Sequence, residues 1–502
     1  MVAKRCTGPP VTTFLFLDSA MNKTLARLSS DVPGLDEICG GGLIAGSSYI
    51  VQGRPGAGKT ILANQVAFAQ ASRGAKVLYV TLLAESHDRL FQSLSTLDFF
   101  EASRVGKDLT YVSLFRTLRE EGLEALVTML RNELMRLKAT VLVLDGLLNA
   151  RESGQTNLDI KTFVAELQGH AAFSGCTVLF LTSARIDESS PEHTMVDGVI
   201  QIEESVFGSR TARHIRIAKS RGSRALGGFH LFEITGRGIV IYPRLESALA
   251  FPSTSERIPE NAKRLTTGTK GLDERIGGGL PEASVSVLVG PAGSGKTTWG
   301  VNFLRLATPQ SPGVHFGFYE TPERLGAKAR ALGIDLESLI ASRALTVIWR
   351  PLTENLLDKL AYDLLYAVRE TKAQRLFIDG LAGFERATVE PHRIVEFFAA
   401  LTNELRATGV TTVSTWEVKE LSGPWISNPS PEILSQLDNV IGMQHERVGG
   451  TLRRSITILK VRDSLFDTSV AEVAIDGSGE GLRIVGTMPT DGTVTDDGAL
   501  KR

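Results

Sequence analysis

Two stretches of the chain, 53–60 and 290–297, read GRPGAGKT and GPAGSGKT and share the pattern G-x-x-x-x-G-K-[ST]. Glycines at these spacings let the backbone turn so that its N–H groups surround an anion, and a following helix presents its positive end to that anion. In such a loop the lysine reaches the β- and γ-phosphates of a nucleotide, and the threonine holds Mg²⁺. The sequence therefore predicts two sites for a nucleoside triphosphate. The residues predicted to line them are Gly53, Gly56, Ala57, Gly58, Lys59, Thr60, Gly290, Gly293, Ser294, Gly295, Lys296, Thr297 and Thr298.

An aspartate at the end of an apolar run follows each loop at a similar distance. Asp145 comes 86 residues after Lys59, and Asp379 comes 83 residues after Lys296. A carboxylate at the end of a buried strand completes the magnesium site of this kind of loop. We therefore predict that Mg²⁺ is held by Asp145 and Asp379, together with the loop threonines Thr60 and Thr297.

Hydrolysis also needs a group that orients or activates water. Glu85 and Glu320 each follow an apolar run, 26 and 24 residues after the loop lysines. We expect each glutamate at the carboxyl end of a strand beside the strand that carries the phosphate loop, because α/β sheets bind their ligands at that edge. The alternative, a solvated loop glutamate without a role in catalysis, stays open for both.

The elements that must position these residues occur twice. Residues 27–60 and 264–297 align without a gap at an offset of 237 positions, which indicates a duplicated domain. In both halves short, nearly continuous apolar runs alternate with helical stretches, which indicates an α/β fold with a mainly parallel sheet covered on both faces. The predicted division is an N-terminal extension 1–26, a first domain 27–247, a linker 248–263, a second domain 264–486 and a disordered polar tail 487–502.

Composition narrows the class of protein. The 502 residues suggest two to four domains, and 55 basic against 56 acidic residues argue against a strongly basic nucleic-acid protein. No apolar run approaches the roughly 20 residues of a membrane span, and no signal peptide is recognisable at the N-terminus. The three cysteines are far apart and fit neither a metal motif nor a disulfide framework, so we expect a cytoplasmic protein.

The lead-in to each loop and the end of each half resemble the KaiC family, tandem RecA-type ATPases that include the ATPase and autokinase of the cyanobacterial clock. The shared stretches are GLDE followed by GGGL at 34–43 and 271–280, and the K-x-R elements within 214–222 and 456–462. The resemblance implies two RecA-like P-loop NTPase domains, ATP as the nucleotide and a homohexameric ring with ATP at the subunit interfaces. It also implies that Lys219, Arg221, Lys460 and Arg462 reach the γ-phosphate of a neighbouring subunit, as an arginine finger does.

The chain departs from the family pattern in its catalytic residues. The family usually carries two adjacent glutamates after the second strand, whereas only Glu85 and Glu320 are present here, and Tyr319 is no base at neutral pH. The adjacent Ser-Thr pair that the clock proteins phosphorylate is reduced to Ser435, preceded by Leu434. Autophosphorylation of Ser435 therefore stays open. The C-terminal tail does not resemble the clock protein's partner-binding tail, so a circadian role does not follow and any signalling partner is unidentified.

Two other functions compete with a ring-forming ATPase in signalling. One is a DNA recombinase or helicase, since the same fold serves that work. The loops at 184–196 and 416–432, which would contact DNA, each carry a net charge of −2 and would repel phosphate. The other is a scaffold with negligible turnover, in which ATP holds the ring together.

Overall fold

The computed structural model describes residues 25–82, 87–146, 157–183, 191–250, 263–353, 355–418, 431–448, 450–477 and 479–488. The strands of the first half are β1 (Arg27–Leu28), β2 (Leu43–Ile44), β3 (Ser48–Gly53), β4 (Val77–Thr81), β5 (Leu109–Ser113), β6 (Val141–Asp145), β7 (Thr177–Thr182), β8 (Gly198–Phe207), β9 (Arg210–Ser220), β10 (His230–Thr235) and β11 (Gly238–Tyr242). Its helices are α1 (Leu35–Ile38), α2 (Lys59–Ser72), α3 (His87–Leu94), α4 (Phe115–Glu120), α5 (Gly122–Leu137), α6 (Asn157–Ser174), α7 (Pro191–Met195) and α8 (Leu245–Ala248).

The second half repeats the order of the strands, whereas the helices between them are distributed differently. Its strands are β12 (Arg264–Leu265), β13 (Leu280–Pro281), β14 (Val285–Gly290), β15 (Gly313–Gly317), β16 (Leu345–Trp349), β17 (Arg375–Asp379), β18 (Thr411–Glu417), β19 (Asn439–Val448), β20 (Thr451–Val461), β21 (Ala471–Ile475) and β22 (Leu482–Thr487). Its helices are α9 (Leu272–Arg275), α10 (Lys296–Leu304), α11 (Pro322–Ala331), α12 (Leu336–Ala341), α13 (Leu357–Thr371), α14 (Ala382–Ala387), α15 (Ile394–Ala407) and α16 (Pro431–Gln436).

Each half is built on one nine-stranded sheet. The strand order is β11-β10-β9-β8-β3-β7-β6-β4-β5 in the first half and β22-β21-β20-β19-β14-β18-β17-β15-β16 in the second. The six strands from β8 to β5 are parallel, and β9, β10 and β11 extend the sheet as an antiparallel meander. The second sheet has the same pattern. The predicted α/β fold with two mainly parallel, RecA-like sheets is confirmed.

The central strands separate two cores in each half. In β6, Val141 and Val143 pack into the core that contains helix α2, whereas Leu142 and Leu144 pack into the core that contains α5 and α6. Successive side chains of a strand point to opposite faces, so a strand with helices on both faces is apolar at every position. This double burial explains why the strands read as continuous apolar runs in the sequence.

The two halves share a buried junction. Leu245 of α8 is fully buried in the core of the second half, although it precedes the predicted linker. Its backbone N–H donates to Oδ1 of Asp358 on α13, at 3.0 Å. Arg393 donates to the same aspartate at 3.0 Å and to Glu246 of α8 at 2.8 Å. A buried charge cluster therefore joins the end of the first half to the second.

No helix in the described residues is long and apolar enough to cross a lipid bilayer.

Candidate functional site

The two glycine-rich loops lie where the sequence analysis expects them, between β3 and α2 and between β14 and α10. Gly58 and Gly295 immediately precede the helices with φ of 109° and 106°, a backbone conformation that other residues adopt only with strain. The first glycine of each loop is needed for a different reason. A Cβ on Gly290 would lie 2.2 Å from the carbonyl oxygen of Met443, so the neighbouring strand leaves no room for a side chain.

The loop lysines fold back over their own loops. Lys59 Nζ donates to the carbonyl oxygens of Gly53 at 2.8 Å and of Arg54 at 3.0 Å. Lys296 Nζ makes the equivalent bonds to Gly290 and Pro291, both at 2.7 Å. Burial lowers the pKa of both lysines, and the negative charge of the nearby carboxylates opposes this shift. The hydrogen bonds hold each ammonium group against its own loop, where phosphate oxygens can replace the carbonyl oxygens as acceptors.

The predicted magnesium ligands are in contact with each other. Thr60 Oγ1 donates to Asp145 Oδ2 at 3.2 Å, and Thr297 Oγ1 donates to Asp379 Oδ2 at 3.0 Å. Burial raises the pKa of Asp379, while hydrogen bonds from Thr415 and Thr297 lower it. One hydroxyl and one carboxylate fit Mg²⁺, which binds through one or two carboxylates together with water and substrate phosphates. The described residues contain no cluster of three or more His, Cys, Asp or Glu that would bind a metal without a nucleotide.

The two sites differ next to the metal-site aspartate. In the first half Tyr79 donates from its hydroxyl to Asp145 at 3.2 Å. The equivalent residue of β15 is His315, which is 1% exposed. Neither of its ring nitrogens has a hydrogen-bond partner in the described part of the chain. Burial lowers the pKa of His315 to about 4, so the imidazole is neutral at physiological pH.

The buried histidine makes stability depend on pH. Unfolding returns His315 from a pKa of about 4 to about 6.5, so the unfolded chain binds the extra proton as the pH falls between these values. We expect the second half to lose roughly 2 kcal/mol of unfolding free energy from this residue between pH 7.5 and pH 5. His315→Leu removes that part of the loss. The measurement is urea unfolding followed by tryptophan fluorescence, since all four tryptophans lie after residue 298. Equal losses in the wild type and the variant would refute this role.

The strands that precede the two glutamates predicted to act on water lie elsewhere in the sheet than expected. Glu85 lies outside the described residues, between 82 and 87. The expectation that each glutamate follows a strand beside the loop strand is wrong: β7 and β6 lie between β3 and β4, and β18 and β17 lie between β14 and β15. After the loop strand, the chain passes over two places in the sheet before it forms the next strand, and two later strands occupy these places. The order of elements in the sequence does not reveal this arrangement. Glu320 nevertheless follows the same carboxyl edge of the sheet, after β15.

Glu320 and its neighbour Tyr319 differ in environment. Glu320 accepts a hydrogen bond from Lys328 and is mostly buried. Tyr319 is 41% exposed, and burial raises its pKa, with the carboxylates of Glu417 and Asp379 acting in the same direction. The tyrosine therefore stays protonated, as the sequence analysis expects.

The K-x-R residues lie at the opposite edge of the sheet from the phosphate loop of their own half. β9 runs antiparallel to β8 and ends beside Gly198, at the amino end of the parallel strands. There Lys219 Nζ donates to the carbonyl oxygens of His193 at 2.7 Å and Thr194 at 2.9 Å. Arg221 donates to the same Thr194 oxygen at 2.9 Å. The loop is at the carboxyl end of these strands, so these cations do not complete the site of their own half.

The second half repeats this arrangement. β20 ends beside Asn439, at the amino end of β19. Lys460 Nζ donates to the carbonyl oxygen of Leu437 at 2.6 Å, and Arg462 donates to Asp438 at 3.1 Å. Lys460 also donates to the carbonyl oxygen of Ser435 at 3.3 Å. Ser435 is exposed on α16, and its hydroxyl donates to the carbonyl oxygen of Glu432 at 2.7 Å. The predicted phosphosite thus lies beside the basic pair, away from the loop of its own half.

The sequence reasoning missed one carboxylate at the second site. Glu417 ends β18 and pairs in register with Gly290, the first residue of the loop. It is exposed, and its charge opposes the effect of burial on the pKa of Lys296 more strongly than Asp379 does. Only the pairing of β18 with β14 places it there, so the sequence alone offered no signal for it. The sequence analysis counted Glu417 only as part of an acidic loop.

Comparison with known proteins gives a consistent result. A family model described as "ATPase: KaiC" matches residues 28–246 and again residues 265–487. The chain is 27% identical over 482 residues to the "Circadian clock protein KaiC3" of Synechocystis, covering 91% of both chains. It is 26% identical over 505 residues to the "Circadian clock oscillator protein KaiC" of Rippkaea orientalis, covering 95% of this chain and 94% of the relative. The protein of the same name from Synechococcus elongatus is 23% identical over 509 residues, with 97% and 96% covered.

Proposed function

This chain belongs to the KaiC family of ATPases, and from that premise we propose that it binds and hydrolyses ATP as a ring-forming protein in signalling or clock-like regulation. Each phosphate loop binds Mg·ATP, with Asp145 and Asp379 supporting the metal ion. Glu85 and Glu320 activate or orient the attacking water. The two ATPase domains extend over 27–247 and 264–486.

The placement of the basic pairs carries the proposal of a ring. Lys219 and Arg221 lie at one edge of the first sheet and the phosphate loop lies at the other. A residue at the amino edge of one copy meets the carboxyl edge of the next when copies pack head to tail, and such packing forms a ring when the rotation between copies closes. The cations then stabilise the charge that develops on the γ-phosphate of the neighbour. The resemblance to the family makes a homohexamer the expected ring.

Autophosphorylation is the second candidate function. Ser435 is exposed and lies beside Lys460 at the edge proposed to face the neighbouring site. In a head-to-tail ring this edge meets the γ-phosphate of another copy, so the hydroxyl of Ser435 would compete with water for the transfer. Mass spectrometry of the protein after incubation with Mg·ATP tests this directly, because one phosphate adds a fixed mass to the peptide that contains Ser435.

The proposed catalytic glutamates give the test of hydrolysis. We expect Glu85→Gln together with Glu320→Gln to lower phosphate release by about 100-fold, since a missing general base costs on this order. The substitution keeps the size of the side chain, so ATP binding and ring size, measured by light scattering, stay unchanged. The matched control is Glu124→Gln with Glu396→Gln, two exposed helical glutamates, which leaves phosphate release at the wild-type rate.

The same assay separates the competing functions. If the wild type assembles in the presence of ATP without releasing phosphate, the scaffold with negligible turnover is favoured over the ATPase. Phosphate release that rises when single-stranded DNA is added, in a salt-dependent way, would favour the DNA recombinase or helicase instead. Most residues of the two acidic loops that argue against DNA binding, 184–190 and 419–430, lie outside the described part of the chain.

A further inference from the structure

Glu320, the residue proposed to act on water at the second site, is held by an ion pair. Lys328 lies about two turns along α11, after the N-cap Thr321, and its Nζ donates to Oε1 of Glu320. The side chains of Lys328 and Glu320 are 34% and 24% exposed. The other oxygen, Oε2, is buried and has no hydrogen-bond partner among the described residues. One oxygen of the carboxylate is therefore occupied by a cation, and the other is left unsatisfied.

Lys328 is one of the cations whose charge acts on this region, together with the loop lysine Lys296. His315 is fully buried nearby and neutral, and the charges of both Glu320 and Lys328 act on its pKa in opposite directions. Burial raises the pKa of Asp379, and the charge of Lys328 opposes that shift. The ammonium group thus lies within electrostatic reach of both the metal-site carboxylate and the water-activating carboxylate.

We propose that Lys328 is a positioning residue that restrains Glu320 and slows water activation at the second site. A general base must bring an oxygen within hydrogen-bond distance of the water that it deprotonates. Oε1 is occupied by Lys328 and Oε2 is buried, so Glu320 reaches a water only after it releases a charge-assisted hydrogen bond, which is among the stronger contacts in proteins. This inference rests on the proposed function, because it concerns the rate of the hydrolysis proposed there.

The first half has no cation at the equivalent position of the sequence. The residue at the same separation from Glu85 is Ser93, at the exposed end of α3, which carries no charge. Both sites retain the loop lysine, the threonine and the aspartate. Because only the second site has a lysine at this position, we expect it to turn over ATP more slowly than the first.

The test uses the full chain with the first site disabled by Lys59→Ala, so that phosphate release reports the second site. In this background we expect Lys328→Met to raise kcat about fivefold while KM changes by less than twofold, because the restraint acts on the chemical step and not on ATP binding. Lys328→Gln gives the same gain, and Lys328→Arg, which keeps the ion pair, gives none. Adding Glu320→Gln to Lys328→Met removes the gain.

The control is Lys270→Met, which removes an exposed ion pair with Glu480 in the same half and leaves kcat unchanged. An unchanged or lower kcat in both Lys328→Met and Lys328→Gln, with unaltered urea unfolding, overturns the inference. A gain that persists in the presence of Glu320→Gln also overturns it, since Lys328 would then not act through Glu320. The proposed function fails separately, if the wild type itself releases no phosphate from ATP.

Discussion

Replacing Lys59 and Lys296 together by alanine is expected to lower ATP turnover by at least about 10³-fold and to leave the protein without bound nucleotide. Both ammonium groups are buried and held by loop carbonyls, so each is already positioned to bind phosphate oxygens. Alanine removes the charge that neutralises the triphosphate during binding and during transfer of the γ-phosphoryl group. The loss therefore appears both in binding and in the rate.

Phosphate release measures turnover, and native mass spectrometry measures bound nucleotide. The two single variants, measured separately, show how much of the turnover each site contributes. We expect Lys59→Ala to cause the larger loss of turnover, because Lys328 is proposed to slow hydrolysis at the second site. Lys107→Ala, an exposed lysine between α3 and β5, is the control and keeps wild-type turnover. Wild-type turnover in the double variant would show that neither loop is the catalytic phosphate site.

Arg393→Met is expected to lower the unfolding free energy of the second half by roughly 3–5 kcal/mol, the usual cost of removing one partner of a buried ion pair. Asp358 is completely buried, and burial raises its pKa, so the carboxylate depends on its donors. Arg393 donates to it and, through Nε at 2.8 Å and Nη2 at 3.0 Å, to Glu246. Methionine fills the space of the arginine stem but leaves two carboxylates facing each other.

Urea unfolding followed by tryptophan fluorescence measures the stability of the second half, because the first half contains no tryptophan. Arg330→Met is the control: it removes an exposed ion pair with Glu337 in the same half and costs at most about 1 kcal/mol. An Arg393→Met protein as stable as this control would mean that the cluster adds nothing to the fold.

Residues that act through local chain geometry were predictable from the sequence. The loop glycines, Lys59 and Thr60 lie within eight consecutive positions, so their arrangement follows from one strand, one turn and one helix. Asp145 was predictable because it ends an apolar run at nearly the same distance from the loop as Asp379 does in the second half. The parallel sheet followed from apolar runs that are buried on both faces.

Features that depend on packing between distant segments were not predictable. The order of strands is set by which crossovers the helices permit, and the sequence does not reveal that β6 and β7 lie between β3 and β4. The pairing of Arg393 with Asp358 and Glu246 joins segments up to 147 residues apart. Glu417 reaches the second site only because β18 lies beside β14. A single sequence contains no signal for such contacts.

The position of Leu245 bears on how the two repeats evolved. This leucine belongs to the first repeat by its place in the chain but fills the interior of the second. A gene fragment encoding the second repeat alone would lack this side chain, which is buried among the core residues of that repeat. The two copies that arose by duplication are therefore no longer interchangeable. A substitution in the first repeat can destabilise the second, so the two repeats evolve together.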